Sequence, residues 1–560
     1  MSHLPYARDT STHSFAEELF SLSPVVGGRL HPQVSCSNFE LDETDPTPKP
    51  HHNHAHKFSL RTFFSFIGPG LLSSAAFVDP GNIESDLQAG AYAGYQLLWV
   101  VAMATLVGFL FQSLAIRLGT VSGRDLATNC KLAFPQHRVR LLWAMTQIAI
   151  VASDIQEIVG SAVAFRLLFG FPLWLGCLLT GLDTITFLGL QATGLRKLEA
   201  VFGVCLFTLV VCFFGNFAVS QPSGELIAEG MVPTSMNHRV FIQAAGILGA
   251  IIMPHNIFLH SALVLSRDVD RTSPSSVKEA NFYYTLESSL TLLMTFFVNA
   301  AIVSVFAHGF YSSTCAGIST TIDGMEPPFA CVEAGDLSLT TSQYCALDST
   351  GRAGTCQPIG LQVAGEPLEK LLGSSARIMW AVGLLAAGQT STVTGTYAGQ
   401  FVMEGMLELH LPNWQRVAFT RSVSLIPALF VALVAANDHF AADRLDAWLN
   451  VVQMVQLPFA LVPLLALCSS AQVMGNEFRL SNTEKRVGWA LTGLVVLANA
   501  FLLHTMVGNA KWVMACGMGL VVVYVAVLVG FVNPQLAITT LPTLLEEVPL
   551  VSSSHNHYST

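Results

Sequence analysis

Two long apolar runs in this chain are each broken near the centre by a proline followed two positions later by an asparagine. The breaks read Asp79-Pro80-Gly81-Asn82 and Met253-Pro254-His255-Asn256. Proline removes a backbone donor and clashes with the preceding turn, and glycine adds conformational freedom. Unsatisfied backbone at membrane depth is tolerated only where it is buried in protein or lines a cavity. Either break alone would be an ordinary proline kink. Two of them, five helices apart and both flanked by polar side chains, form the pattern of an inverted-repeat transporter whose substrate sits between the breaks near the bilayer midplane.

Composition places these runs in a membrane. The 560 residues are 52% hydrophobic and 11% charged, with mean hydropathy +0.53. A water-soluble exterior needs more charge than that, whereas lipid covers an apolar one. The net charge of −10 collects in the tails and one loop, and no basic stripe suggests nucleic acid. Windows of roughly 20 apolar residues give about twelve spanning candidates. They are Thr62–Val78 running on to Tyr92, Gln96–Leu118, Leu141–Gly170, Pro172–Leu190, Leu198–Val219 and Phe241–Leu265. Then follow Leu286–Phe310, Ile378–Met406, Val417–Ala435, Leu445–Leu467, Val487–Val507 and Trp512–Val532.

Short loops rich in Lys and Arg face the cytosol. Arg124, Lys131, Arg138, Arg196, Lys197, Arg267, Arg271, Arg416, Arg479 and Lys485 all fall in or beside even-numbered loops. Even loops are therefore expected inside, and an even helix count puts both termini there. The organisation expected is a disordered cytosolic tail over residues 1–61, a transmembrane domain over 62–533 and a cytosolic tail over 534–560. The His51, His52, His54 and His56 tract in the first tail suits either a polar linker or metal capture. The polar start carries no apolar core near Met1, so no cleavable signal is expected.

One odd loop, 312–368, is long and would face outside. It holds Cys315, Cys331, Cys345 and Cys356, an even set in an oxidising compartment, which predicts two disulfides; the three pairings stay open. The remaining cysteines are scattered, mostly within helices, and read as small core residues.

The side chains at the breaks suggest a ligand class. Asp79 offers a carboxylate, Asn82 an amide oxygen, and the unwound sixth helix frees backbone carbonyls such as that of Ala250. Oxygens alone would suit Ca²⁺, Mg²⁺ or Na⁺. Met253 adds a polarisable thioether, which favours softer divalent ions such as Mn²⁺, Fe²⁺, Co²⁺ or Cd²⁺. Intramembrane ionisable groups are costly and hence functional candidates. Asp154 and Glu157 share a helix face at i, i+3 and suit a proton relay, with Arg421 on the ninth helix as a partner. His255 and His260 flank the second break and titrate near physiological pH. Asn450 and Gln453 on the tenth helix could complete a coordination shell. The small, hydroxylated stretch from Gly388 to Gln400 reads as a packing and gating element.

These motifs together resemble the Nramp family (natural resistance-associated macrophage proteins), proton-coupled divalent metal transporters. The matching segments are DPGN at Asp79–Asn82, DIQEIVG at Asp154–Gly160, MPHNIFLHS at Met253–Ser261, GQTSTVTGTYAGQFVMEG at Gly388–Gly405 and LNVVQMVQLPFALVP at Leu449–Pro463. The resemblance runs from about Phe63 to Leu467. It implies an all-α polytopic membrane protein with a LeuT-like fold, two inverted five-helix repeats plus two extra helices. It further implies that Asp79, Asn82, the Ala250 carbonyl, Met253 and, in an occluded state, Asn450 hold the metal. Asp154, Glu157, Arg421, His255 and His260 would serve the proton pathway. The family's usual GQSST reads GQTST here, a conservative change. The retained methionine argues against relatives that carry Al³⁺ or Mg²⁺ and lack the sulfur.

The function expected is symport of a divalent transition metal and protons into the cytosol by alternating access. It would take place at the plasma membrane or at an endosomal or vacuolar membrane. The metal ion and H⁺ are then substrates, and no cofactor or obligate protein partner is inferred. Two other classes share parts of the pattern: a Na⁺-coupled amino-acid transporter of the same fold, and a non-transporting metal sensor. The first would not place Asp, Asn and Met together, and the second would normally append a large soluble domain. No nucleophile–base pair or metal-hydrolase spacing stands out, so the chain does not read as an enzyme.

Overall fold

The computed structural model describes residues 58–192, 195–318, 328–333, 344–407, 413–434, 441–506 and 522–532. The His51–His56 tract, nearly all of the first tail, the tail 534–560 and residues 512–521 of the window Trp512–Val532 lie outside the described residues.

The first apolar run is cut twice rather than once. Leu60–Phe66 (α1) is followed by Pro69–Ala75 (α2), a 3₁₀ turn over Ala76–Val78, and Pro80–Ala93 (α3). The additional break falls at Gly68, whose φ of 143° is closed to most side chains, with Pro69 opening the next helix. Then come α4 (Leu98–Ser122), α5 (Leu126–Ala133), α6 (Gln136–Phe169), α7 (Leu173–Ala192) and α8 (Leu195–Ser220). The second broken run is α9 (His238–Ile251) and α10 (Pro254–Leu263). Asn237 caps α9, its side chain accepting the Val240 N–H at 3.0 Å.

The chain continues through α11 (Pro274–Phe310), α12 (Gly365–Leu372), α13 (Ser374–Leu407), α14 (Asn413–Val434), α15 (Ala441–Gln456), α16 (Pro458–Ser469) and α17 (Asn482–Met506). Several helices outrun the apolar windows: α6 begins at Gln136 rather than Leu141, and α11 at Pro274 rather than Leu286. Backbone bonding carries a helix on past the end of its apolar stretch, so hydropathy marks only the middle of each.

Eight stretches among the described residues are long and apolar enough to cross a membrane, and Pro69–Val78 and Leu173–Leu182 are shorter apolar helices. Helix α13 is long enough but is not among the eight, because its centre, Gln389–Thr396, is polar and faces protein instead. Large apolar side chains such as Val204, Phe207, Ile426, Phe430 and Leu497 stand about two-thirds exposed on α8, α14 and α17. In water such faces would drive association; against lipid they are at their natural solvent.

One end of the bundle carries a small cap. Strands Ala330–Glu333 (β1), Tyr344–Ala346 (β2) and Ala353–Gln357 (β3) form an antiparallel sheet in the order β1-β3-β2. Of the three pairings left open by sequence, the cap contains Cys315–Cys356 and Cys331–Cys345. The second bond joins the two outer strands across the central one, where Gly354 leaves room. A Cβ there would meet the Val332 carbonyl at 2.5 Å and Cys331 Sγ at 3.0 Å. Three of these sulfurs lie within 4.8 Å of one another, but as cystines they are not thiolate ligands.

Candidate functional site

Both breaks follow one rule. Pro80 lacks the N–H that would have bonded the Ala76 carbonyl, and Pro254 lacks the one for Ala250. Asp79 and Met253 sit at the helix N-caps in extended conformation, with φ of −81° and −74°. Asp79 caps α3: its Oδ1 accepts the Asn82 N–H at 2.7 Å and the Asn82 side-chain amide at 2.8 Å.

Three side-chain amides tend the first break. Asn82 Nδ2 reaches the Ala76 carbonyl at 3.4 Å, Asn299 Nδ2 of α11 the Phe77 carbonyl at 3.2 Å, and Asn450 Nδ2 of α15 the Gly81 carbonyl at 3.3 Å. The second break differs, since among the described residues no donor replaces Pro254 at Ala250. All four residues named as metal ligands at the breaks are buried to within 1% of complete. Asp79 Oδ2 and Asn82 Oδ1 have no hydrogen-bond partner. Buried oxygens without a donor are costly, and a cation would satisfy them.

The breaks lie side by side. Helix α9 packs against the Ala76–Val78 turn and α3, and Phe77 and Ile252 both close over Gly108 of α4. Helix α6 supports the first break from another side. A Cβ on Gly160 would sit 2.3 Å from Pro80 Cβ, and one on Gly81 would sit 2.8 Å from the Gln156 amide. Gln156 donates to Asn450 Oδ1 at 2.9 Å and to the Asp446 carbonyl at 3.1 Å, and accepts from Gln453 Nε2 at 2.6 Å. Asn450 is thus engaged at both ends of its amide, tying α15 to the break rather than presenting a free oxygen.

The expected proton-pathway acids form a second buried group one helix away. Arg421 Nη1 of α14 lies 3.2 Å from Asp154 Oδ1 and 3.8 Å from Glu157 Oε2. Its Nη2 donates to the Thr392 carbonyl and, at 2.7 Å, to Thr396 Oγ1. Ser424 donates to Asp154 at 3.1 Å and Ser153 to Glu157 at 3.0 Å. The polar centre of α13 is thereby explained: it feeds the arginine, and Gly395 leaves space for both acids. Asp79 is within Coulombic reach of Glu157, which links the two groups. His255 and His260 are also fully buried, and neither ring nitrogen of His260 nor Nδ1 of His255 has a hydrogen-bond partner.

At the end away from the cap, the start of α2 is latched. Glu287 of α11 accepts the Gly68 N–H at 2.6 Å and the Leu71 N–H at 3.2 Å. Arg267 joins the Ile67 carbonyl at 2.9 Å to Glu199 at 2.7 Å.

Sequence reasoning did not single out Glu287, Asn299 or Gln156, nor the buried acids Glu84, Asp86, Asp443 and Asp446. Glu84 and Asp86 did carry a signal, being ionisable residues inside an apolar run. Asn299 and Gln156 carried none, because neutral amides are common in helices.

The description natural resistance-associated macrophage protein-like (Nramp) matches residues 70–505. The chain is 42% identical over 460 residues to the metal transporter Nramp3 of Arabidopsis thaliana, covering 81% of this chain and 82% of that one. It is 44% identical over 451 residues to the metal transporter Nramp2 of Oryza sativa subsp. japonica, covering 80% and 78%. A solved structure of the Eremococcus coleocola manganese transporter superposes with a TM-score of 0.69 at 28% identity. That likeness covers 88% of this chain and 97% of that one.

Proposed function

This chain belongs to the natural resistance-associated macrophage protein family and has its all-α, LeuT-like fold, and on that premise we propose that it is a proton-coupled transporter of divalent transition metals. It is an integral membrane protein and a transporter rather than an enzyme. Its relatives are named as metal transporters, one of them for manganese, which supports Mn²⁺ and Fe²⁺ as cargo, with Co²⁺ and Cd²⁺ of similar chemistry.

One observation carries the reading most. Asp79 Oδ2 and Asn82 Oδ1 are buried without partners, beside a second break whose proline strips the donor from Ala250. A carboxylate, an amide oxygen, a carbonyl and the Met253 thioether make a mixed oxygen and sulfur set, which suits borderline divalent ions better than Ca²⁺ or Mg²⁺. Asn450 would join by exchanging its present partners for the ion as α15 shifts.

In the cycle we envisage, metal arrives from outside, sheds most of its water at Asp79 and Met253, and leaves to the cytosol when the broken helices rock against the scaffold. A proton moves from Asp79 toward Asp154 and Glu157, where Arg421 compensates the charge and His255 and His260 line the way. Both termini would be cytosolic, in a plasma membrane or an endosomal or vacuolar one.

Competition uptake tests the reading. In proteoliposomes, Mn²⁺ uptake by the wild-type protein should resist excess Mg²⁺ and Ca²⁺, and Met253→Ala should lose that resistance. Unchanged discrimination would remove the thioether from the site.

A further inference from the structure

The first membrane crossing does not need α1. Residues 69–93, helical through α2, the 3₁₀ turn and α3, already span a hydrocarbon core of about 30 Å at about 1.5 Å per residue. Gly68 separates α1 from that run, and none of the residues of α1 is buried. It is a short helix at the end of the bundle away from the cap, and its three faces differ.

One face packs on protein. Phe66 stacks on Tyr283 of α11 with ring centres 5.6 Å apart and meets Tyr284 edge-on at 5.0 Å, while Phe63 lies 6.5 Å from Tyr283. The Ser59 N–H donates to the Tyr283 hydroxyl at 3.0 Å. Leu60 and Phe64, four apart and so on one side of the helix, form the second face. They are 63% and 65% exposed, and Phe58 ahead of them is 54% exposed. Arg61 and Ser65, again four apart, form the third face and are exposed. Arg61 makes no ion pair with a described residue.

The depth of α1 follows from α11. Tyr283 and Tyr284 immediately precede the apolar stretch that begins at Leu286, the level at which aromatic rings gather between headgroups and acyl chains. Further along α11, Leu290, Leu293 and Phe297 are each about half exposed and form its lipid-facing stripe. A helix held at the level of Tyr283 meets three media at once, and the faces of α1 match them: protein, acyl chains and water. An apolar stripe beside a basic one is the pattern of a helix lying in the membrane interface. Arg61, and Lys57 ahead of it in the sequence, add positive charge that anionic headgroups complement. We propose that α1 is an interfacial anchor: Leu60 and Phe64 enter the acyl chains of the leaflet at this end, and Arg61 holds the headgroup of an anionic phospholipid. The near end of α2 is then tied to the leaflet as well as to Glu287.

Photo-crosslinking of the full-length protein in nanodiscs of equal phosphatidylcholine and phosphatidylglycerol tests it. On irradiation, Phe64→p-benzoylphenylalanine should gain the mass of one phospholipid, phosphatidylglycerol more often than phosphatidylcholine. Ser65→p-benzoylphenylalanine should give far less lipid adduct. Adding Lys57→Gln and Arg61→Gln to the Phe64 variant should keep the adduct and equalise the two lipids. Arg61, Phe64 and Ser65 are all exposed, so these changes disturb no core packing. No lipid adduct at Phe64, a crosslink to the N-terminal tail or to a second copy in its place, or equal adduct at Phe64 and Ser65 would overturn the interfacial helix. An undiminished preference for phosphatidylglycerol in the charge variants would overturn the headgroup contact.

Discussion

Arg421 holds Asp154 across the buried seam between α14 and α6, Nη1 to Oδ1 at 3.2 Å, with side chains 7% and 2% exposed. The same guanidinium is 3.8 Å from Glu157 and is braced by the Thr392 carbonyl and Thr396. A planar fork with several donors can serve two acids and two neutral acceptors at once, which a lysine cannot.

Removing that arginine would leave two buried carboxylates without a counter-charge. Arg421→Ala should therefore cost about 3–5 kcal/mol of stability, the usual cost of breaking a buried pair from one side. Arg421→Lys should restore only part of it. Thermal unfolding of the purified protein measures both, and an Arg421→Ala melting point equal to wild type would show that the acids are not held as charged partners.

Glu157→Gln keeps the shape of the side chain and its bond from Ser153 but can no longer carry a proton. Mn²⁺ uptake should persist at neutral outside pH and lose its stimulation at acid pH. A ratio of acid to neutral uptake equal to that of the wild type would place the proton route elsewhere.

Gly160 gives α6 its close approach to the first break. Gly160→Ala would push a methyl to within 2.3 Å of Pro80 Cβ, an overpacking that costs about 1–3 kcal/mol. The variant should assemble, as size-exclusion chromatography would show, yet take up Mn²⁺ far more slowly. Normal uptake would mean that the geometry of the break tolerates displacement.

The cap gives a separate prediction. The two disulfides close loops of 41 and 14 residues, which in the chain-entropy account are worth about 4 and about 3 kcal/mol. Gly354→Ala should prevent Cys331 from reaching Cys345 and leave both open to maleimide labelling without denaturant. Full protection of both cysteines would show that the strands can spread around the added methyl.

Much of this site was legible because helix breakers act locally. Pro80 and Pro254 mark the freed carbonyls by a fixed spacing of four, so Ala250 could be named from sequence. Asp154, Glu157 and Arg421 were legible as ionisable residues in apolar helices. The seating of residues 359–362 was not legible, because they look like any loop and only the fold brings the Leu361 and Gln362 N–H groups onto Glu84 and Asp443. Nor was the break at Gly68, which lies inside the window Thr62–Val78, where the apolar run reads as one continuous helix. Asn450, expected to reach the ion only in an occluded state, has both ends of its amide occupied by Gln156 and Gly81 in this structure.

The central claim is that Asp79 supplies the charge that captures the cargo ion. Uptake of labelled Mn²⁺ into proteoliposomes by wild type and Asp79→Ala, normalised to reconstituted protein, tests it most directly. The account predicts that Asp79→Ala reduces uptake to the level of empty liposomes while the protein remains monodisperse. Uptake by Asp79→Ala at the wild-type rate would contradict it.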